Sequence, residues 1–284
     1  MMDSSVAPRR PALWRQVLSD EKVVSSPLLN RLGVQLVRSA LAHGLYRVRP
    51  RPVPDEVRRE VDALRRDGVV VLPGFLPEDQ FEALRTEFFD VVEHHIDDFM
   101  TLDDANVYQM GYVHELGEQL IPKTCQFLRE PRLRALLEGA EKRTWGAFFR
   151  LAGLECITYG DSVTTDPQVA LHSDSFHHTH KAWLYMDDVT RENGPLAVIK
   201  GSHHLRLGQL RHIYAHSNKS GHDPSRRIPR EELEHLGLEE TVVVCASNTL
   251  VIANTHAYHH RTQGRTGAKR YAIHLMARAR PFRS

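Results

Sequence analysis

The chain has few cysteines, no long apolar run and almost no net charge, and each absence excludes a class of protein. Its three cysteines, Cys125, Cys156 and Cys245, lie far apart without CxxC spacing, which argues against a disulfide framework or a zinc ribbon and for a reducing compartment. No segment approaches the roughly 18 consecutive apolar residues of a membrane span. The formal net charge of +1 gives no reason to expect nucleic acid or an anionic membrane as a partner.

The N-terminal segment also lacks the apolar core and the small-residue cleavage site of a signal peptide, so we expect a cytoplasmic protein. The 284 residues are enough for one large domain or two small ones, and 41% hydrophobic with 26% charged residues is typical of a globular chain. Histidine is the unusual component, because 14 of 18 histidines lie after residue 170. This enrichment suggests metal chemistry, but it also makes a chance His-x-Asp more frequent.

Helices are predicted for the first half of the chain. An apolar-periodic stretch from Leu28 to Leu45 predicts one or two helices that pack on the main body and carry no chemistry of their own. Pro54, followed by two acidic residues, begins another helix, and Gly68 ends it. The other elements expected in this half are a buried strand at residues 68–75, a helix from Pro77, a solvated loop at residues 96–125 and a helix at residues 129–140.

Short strands separated by turn residues are predicted for the second half. Such a series after a helical first half indicates a mainly β fold, a jelly-roll core with helices packed outside. We expect residues 1–53 to be an N-terminal helical extension and residues 54–284 to be one domain, in which the polar segment 205–240 is an insertion over the active site. The expected strands lie near residues 154–159, 168–173, 181–187, 195–199, 241–245, 249–254 and 269–276.

His172 and Asp174 are the first candidate metal ligands. Residues two apart on a strand share a face, so both side chains can point at one ion. Imidazole and carboxylate suit Fe(II) in an open facial site if a second histidine completes it. That histidine should follow the strand near residues 249–254, where His256, His259 and His260 compete. His177, His178 and His180 are interpreted as a solvated loop or as lining on the substrate side.

Arg270 begins the last predicted strand. A guanidinium there can hold a carboxylate in a bidentate pair, as a keto-acid cosubstrate requires. Trp183 alternates with Lys181 and Tyr185 on one face of a strand, opposite three apolar residues, so this face is predicted to be the interior of the barrel.

The order of motifs resembles the phytanoyl-CoA dioxygenase-type branch of the Fe(II)/2-oxoglutarate oxygenases, over about residues 65–282. The resemblance implies a double-stranded β-helix (cupin-like) core, Fe(II) as the metal, and 2-oxoglutarate and O2 as cosubstrates. It is carried by His-Ser-Asp at 172–174, Lys-Ala-Trp-Leu-Tyr-Met-Asp-Asp-Val at 181–189, Glu-Asn-Gly-Pro-Leu at 192–196, Gly-Ser-His at 201–203 and Gly-Val-Val-Val-Leu-Pro-Gly-Phe-Leu at 68–76.

Carried over residue by residue, the resemblance implies that His172 and Asp174 ligate the iron and that Arg270 binds 2-oxoglutarate beside Trp183. In this family the distal histidine precedes the arginine by about eleven positions, which selects His259. His260 and His256, at ten and fourteen positions, remain the alternatives. The carboxylate at Asp174 implies hydroxylation, since family members that halogenate lack it.

The sequence departs from the family pattern in two places. Ala246-Ser247-Asn248 replaces the usual Gly-Asp before the late strand, and Ala272 replaces a serine two residues after the arginine. The second change leaves the polar partner of Arg270 open. The leading hypothesis is a hydroxylase acting on a small molecule such as a secondary metabolite. The alternatives are a zinc-dependent hydrolase with the same ligands and a jelly-roll binding protein without turnover.

Overall fold

Helices fill most of the first half of the chain and strands the second half. The computed structural model describes residues 17–19, 21–49, 51–103, 106–142, 151–160, 166–219, 226–234, 238–276 and 281–282. The helices are α1 (Pro27–Arg31), α2 (Val34–Val48), α3 (Asp55–Asp67), α4 (Glu78–His95), α5 (Val113–Leu116), α6 (Pro122–Leu128), α7 (Pro131–Glu141), α8 (Leu207–Ser217) and α9 (Arg230–Glu234). In the described parts of the chain, every helix is too short or too polar to cross a membrane.

The strands form two antiparallel sheets, which confirms the predicted jelly-roll core. The larger sheet has the order β1-β10-β6-β12-β4-β3-β2, and the smaller has the order β8-β5-β11-β7-β9. The strands are β1 (Val69–Leu72), β2 (Met100–Asp103), β3 (Asn106–Tyr112), β4 (Gly153–Tyr159), β5 (His172–Ser173), β6 (His180–Tyr185), β7 (Leu196–Ile199), β8 (Arg226–Arg227), β9 (Glu240–Val242), β10 (Leu250–Asn254), β11 (His259–Arg261) and β12 (Lys269–Met276).

The side chains on the two faces of β6 belong to two different hydrophobic clusters. Ala182 and Leu184 pack under the helices α3, α4, α6 and α7, which cover the outer face of the larger sheet. Trp183 and Tyr185 point the other way, into the space between the sheets. This is the alternation that the sequence predicts, and it places the interior of the barrel on the Trp183 face.

The connection from α3 to β1 depends on a glycine. Gly68 ends α3 with φ of +83°, and a Cβ at this position would lie 2.8 Å from the Nδ1 of His203. A side chain is therefore excluded both by the left-handed backbone and by the close approach of the imidazole. The predicted end of this helix at Gly68 is confirmed.

Residues 96–125 were expected to form a solvated loop, and this expectation is wrong for most of the segment. Asp97 and Asp98 are exposed, as expected, but β2 and β3 follow them and extend the larger sheet. All seven residues of β3 pair with β4. Its partner β4 lies far along the chain, at Gly153–Tyr159, so the local sequence of β3 does not predict this pairing. The strand expected at 168–173 is shorter, since only His172 and Ser173 pair.

The N-terminal helices α1 and α2 turn their polar side chains inward. Leu32 is 70% exposed, whereas the Arg38 side chain is only 1% exposed. The Arg38 guanidinium donates hydrogen bonds to the backbone carbonyls of Ser19 and Glu21, and it lies 3.8 Å from the centre of the Phe176 ring. The hydrogen bonds of Arg38 therefore lie within the extension, and its contact with Phe176 joins the extension to the body. The hydroxyl of Tyr46, which donates to the carbonyl of Ala140, is a second such link, so the extension packs on the body, as predicted.

We expect replacement of Arg38 by alanine to lower the free energy of unfolding by about 3 kcal/mol, because it removes a buried guanidinium that donates to two partly buried carbonyls and contacts Phe176. Urea denaturation of the variant and the wild type measures the difference. Arg47→Ala, in which an exposed arginine of the same helix is removed, is the matched control. Equal unfolding midpoints for Arg38→Ala and Arg47→Ala would contradict the assigned role.

Candidate metal and cosubstrate site

His172, Asp174 and His259 meet at one point between β5 and β11. His172 stands directly opposite His259 in the antiparallel pair, and their ring centres are 4.6 Å apart. The Nε2 atom of His172 is 3.6 Å from Oδ1 of Asp174, and Nε2 of His259 is 3.7 Å from Oδ2. Among the described residues, no other group of three His, Cys, Asp or Glu side chains comes as close together.

Backbone carbonyls orient both imidazoles. Nδ1 of His172 lies 2.7 Å from the carbonyl oxygen of Ala170, and Nδ1 of His259 lies 2.9 Å from that of Ala257. A carbonyl only accepts, so each Nδ1 carries the proton and each Nε2 directs a lone pair into the site. Nε2 of His172 is buried without a hydrogen-bond partner, which fits a side chain arranged for a metal ion.

The protonation states also suit a divalent cation. Burial, together with the neighbouring His259, lowers the pKa of His172 to about 3, and burial lowers the pKa of His259. Burial alone would raise the pKa of Asp174, but Lys181 and the two imidazoles outweigh it and hold this pKa below its usual range. At neutral pH the site therefore offers two neutral imidazoles and a carboxylate, the forms that bind metal.

Lys181 is a neighbour of the site that the sequence did not reveal. Its ammonium lies 2.8 Å from Oδ2 of Asp174, at the end of the β6 face that carries Trp183. The only signal in the sequence was that Lys181 and Trp183 share one face of a predicted strand. The ion pair fixes the orientation of the carboxylate, as partners of metal-binding carboxylates usually do.

The competing histidines point elsewhere. Nε2 of His260 is 2.6 Å from Oε1 of Glu240, which lies on β9, on the far side of β7 in the same sheet. Nδ1 of His256 lies 3.0 Å from the Arg226 guanidinium, and its ring packs against His43 with the centres 4.6 Å apart. Of the three late histidines, His259 is the one beside Asp174.

A cavity of about 300 Å³ opens next to these side chains. Trp183 forms part of its wall and stacks on His274, with the ring centres 5.3 Å apart. The side chain of Gln168 also lies on the wall. The lining includes His259, Lys181, Trp183, Arg270, Glu155 and Asp166. Described residues of the segment 205–240 are absent from this wall.

Arg270 lies on the cavity wall and is buried. It donates a hydrogen bond from Nη1 to the carbonyl of Gly194, its Nη2 is 3.8 Å from Oε1 of Glu155, and its Nε has no partner. The sequence left the polar partner of Arg270 open, since Ala272 replaces the usual serine. In the structure this partner is the carbonyl of Gly194, and the Glu155 carboxylate is a charged neighbour. Gly194 itself has φ of +66°, and a Cβ there would collide with the hydroxyl of Tyr159.

His177, His178 and His180 are buried, so the expectation of a solvated loop is wrong for them, and they are not among the residues that line the cavity. Nδ1 of His180 pairs with Glu141 at 2.8 Å, and the His178 ring stacks on Tyr46 with the centres 4.1 Å apart. The N-terminal extension and α7 cover this segment. These elements are distant in sequence, so the local polarity of the segment gave a misleading signal.

Comparisons with known proteins identify the family of the chain and relatives of its fold. The family model described as phytanoyl-CoA dioxygenase (PhyH) matches residues 64–240. The epimerase SnoN, solved with Fe3+, alpha ketoglutarate and nogalamycin RO, is 19% identical with a TM-score of 0.55, over 78% of this chain and 83% of that chain. The alpha ketoglutarate-dependent carbocyclase SnoK from nogalamycin biosynthesis is 16% identical with a TM-score of 0.50, over 77% and 82%. A comparison with curated protein sequences finds no match.

Proposed function

The chain belongs to the phytanoyl-CoA dioxygenase (PhyH) family, and we propose that it is an Fe(II)- and 2-oxoglutarate-dependent oxygenase that hydroxylates a small molecule. The observation that carries the proposal is the meeting of His172, Asp174 and His259 beside a cavity that also contains Arg270. Two imidazoles and one carboxylate on one side of Fe(II) leave positions for a bidentate keto acid and for O2.

In this proposal the protein binds and orients, and the metal with its cosubstrates supplies the reactivity. Bound Fe(II) would support oxidation of substrate by O2, coupled to the conversion of 2-oxoglutarate to succinate and CO2. His172, Asp174 and His259 would hold the metal through Nε2, a carboxylate oxygen and Nε2. Arg270 would bind the carboxylate of the cosubstrate that is remote from the metal, and Trp183 would form a wall beside it.

A small-molecule substrate is supported by the cavity of about 300 Å³ beside the site and by the SnoN structure, which holds nogalamycin RO in a related fold. The carboxylate at Asp174 favours hydroxylation over halogenation, since it occupies the position that a halide would need. We also propose a cytoplasmic location. The division into an extension at residues 1–53 and a domain at residues 54–284 remains a prediction, as does the role of 205–240 as an insertion over the site.

Anaerobic addition of Fe(II) and 2-oxoglutarate to the purified protein is expected to give a visible metal-to-ligand charge-transfer band. Arg270→Met should still bind Fe(II) but should weaken 2-oxoglutarate binding by at least about tenfold, because a buried carboxylate would lose its charged partner. Titration of the band measures both affinities. Arg265→Met is the matched control, since Arg265 is an exposed arginine of the loop that precedes β12.

The same titration separates the proposal from its alternatives. A zinc-dependent hydrolase would use the three ligands but would have no need of Arg270, and a binding protein without turnover would not convert 2-oxoglutarate to succinate. A well-folded wild-type protein that gives no band would overturn the oxygenase assignment, as would an undiminished band from His172→Ala.

A further inference from the structure

Glu155 places a buried carboxylate inside the pocket where a dicarboxylate is expected to bind. It lies on β4, with its side chain 5% exposed, and faces the cavity between Arg270 and His274 of the neighbouring strand β12. The hydroxyl of Tyr108 donates to Oε2 at 3.2 Å, and Nδ1 of His274 lies 3.7 Å from the same oxygen. A carboxylate beside the binding site of a dianion needs an explanation.

The contacts of Glu155 show that it is a charge neighbour of Arg270 and not its fixed partner. At 3.8 Å the separation between Oε1 and Nη2 is too long for a hydrogen bond, and Arg270 is held through Nη1 by the Gly194 carbonyl. Burial lowers the pKa of His274 to about 4, so this imidazole is neutral at pH 7 and Arg270 provides the positive charge closest to Glu155. The charge of Arg270 is therefore offset before any ligand enters.

We propose that Glu155 competes with the cosubstrate for Arg270, so that a dicarboxylate binds firmly only after the metal is in place. The proposal rests on the proposed function, because it takes 2-oxoglutarate as the ligand of this pocket. A carboxylate that reaches Arg270 comes close to Glu155, and the like charges repel strongly in a buried site. The arginine alone then gives little net attraction, and chelation to Fe(II) provides the rest. Glu155 thereby sets the order of binding and eases release of succinate, which lacks the chelating keto group.

Calorimetric titration of metal-free protein with 2-oxoglutarate, and separately with succinate, tests the proposal. Glu155→Gln keeps the shape and removes the charge, so both ligands should bind at least about tenfold more tightly than to the wild type. A residue with a purely structural role would show the opposite, because its loss would loosen Arg270 and weaken binding. Glu155→Leu provides the same loss of charge if the glutamine variant does not fold, which circular dichroism checks.

Two controls give the result its meaning. Glu141→Gln removes a buried glutamate that pairs with His180 away from the cavity, and should leave both affinities unchanged. Arg270→Met combined with Glu155→Gln should abolish the gain, because the competition acts through the arginine. Unchanged or weaker binding by the folded Glu155 variants, or a gain that survives without Arg270, would overturn the inference. The charge-transfer band of the wild-type protein tests the oxygenase assignment separately, so the two failures are distinguishable.

Discussion

His259→Ala is expected to lose the Fe(II)–2-oxoglutarate charge-transfer band completely, whereas His260→Ala and His256→Ala should keep it. The Nε2 of His259 faces Asp174 across 3.7 Å, while His260 is bonded to Glu240 and His256 to Arg226. Removal of one of three protein ligands leaves an incomplete facial site, and the effect should exceed the 10- to 100-fold loss that is typical of removing a partner of a ligand.

His260→Ala and His256→Ala are matched controls, because each removes the same type of side chain within three residues of His259. Anaerobic titration with Fe(II) at saturating 2-oxoglutarate gives the affinity of each variant, and circular dichroism checks the fold. If His260→Ala abolishes the band while His259→Ala retains it, the assignment of the distal ligand is wrong and the spacing argument fails with it.

Features that depend on a local pattern could be predicted from the sequence. Alternation along a strand puts His172 and Asp174 on one face and separates Trp183 from Leu184, and the structure shows both arrangements. The ends of α3 follow from a proline at its start and from Gly68 at its end. In these cases the residues that determine the feature are close together in the chain, so a local sequence pattern predicts it.

Features that depend on contacts between distant segments could not be predicted. The strand β3 owes its conformation to β4, which lies far along the chain. Glu155 and Arg270 come together through the pairing of β4 with β12. No local periodicity encodes such neighbours, so the cavity wall was only partly anticipated.

The N-terminal extension shows why an apolar pattern can mislead. The apolar-periodic stretch from Leu28 to Leu45 predicts helices that pack on the main body, but Leu28 and Leu32 are exposed and Arg38 and His43 are buried. The polar side chains are buried because they have partners there. Arg38 donates hydrogen bonds to carbonyls within the extension, and Arg38 and His43 contact the rings of Phe176 and His256 on the body. Hydrophobicity alone does not register a polar side chain whose partners are supplied by tertiary structure.

The buried imidazoles of His43, His178, His203 and His256, here called the histidine cluster, should make the protein unfold in mild acid. The ring centre of His43 lies 4.4 Å from that of His178 and 4.6 Å from that of His256. The ring centres of His203 and His178 are 5.8 Å apart. Burial lowers the pKa of His43 to about 3 and that of His203 to about 4. It also holds the pKa values of His178 and His256 well below 6.5, and neighbouring cations and imidazoles lower them further.

The sign of the pH dependence follows from these directions. Above pH 6.5 the four side chains are neutral in both the folded and the unfolded chain, so they contribute no pH dependence. As the pH falls below 6.5, the unfolded chain takes up protons that the folded cluster refuses, and the free energy of unfolding decreases. Each histidine contributes a slope approaching about 1.4 kcal/mol per pH unit until its folded pKa is reached. Together, four such residues would remove about 5 kcal/mol per unit, comparable with the whole stability of many domains.

Urea unfolding at pH values from 7.5 to 5 measures this slope. Burial also lowers the pKa values of His172 and His259, so these two side chains add to the slope, and the decisive comparison is between variants that differ at one cluster position. His43→Leu removes one of the four groups and should reduce the slope by about 1.4 kcal/mol per pH unit, whatever it does to stability at pH 7.5. His114→Gln, which removes an exposed histidine, should leave the slope as it is. A free energy of unfolding that stays constant from pH 7 to pH 5 would mean that the cluster opens to solvent and takes up protons without unfolding.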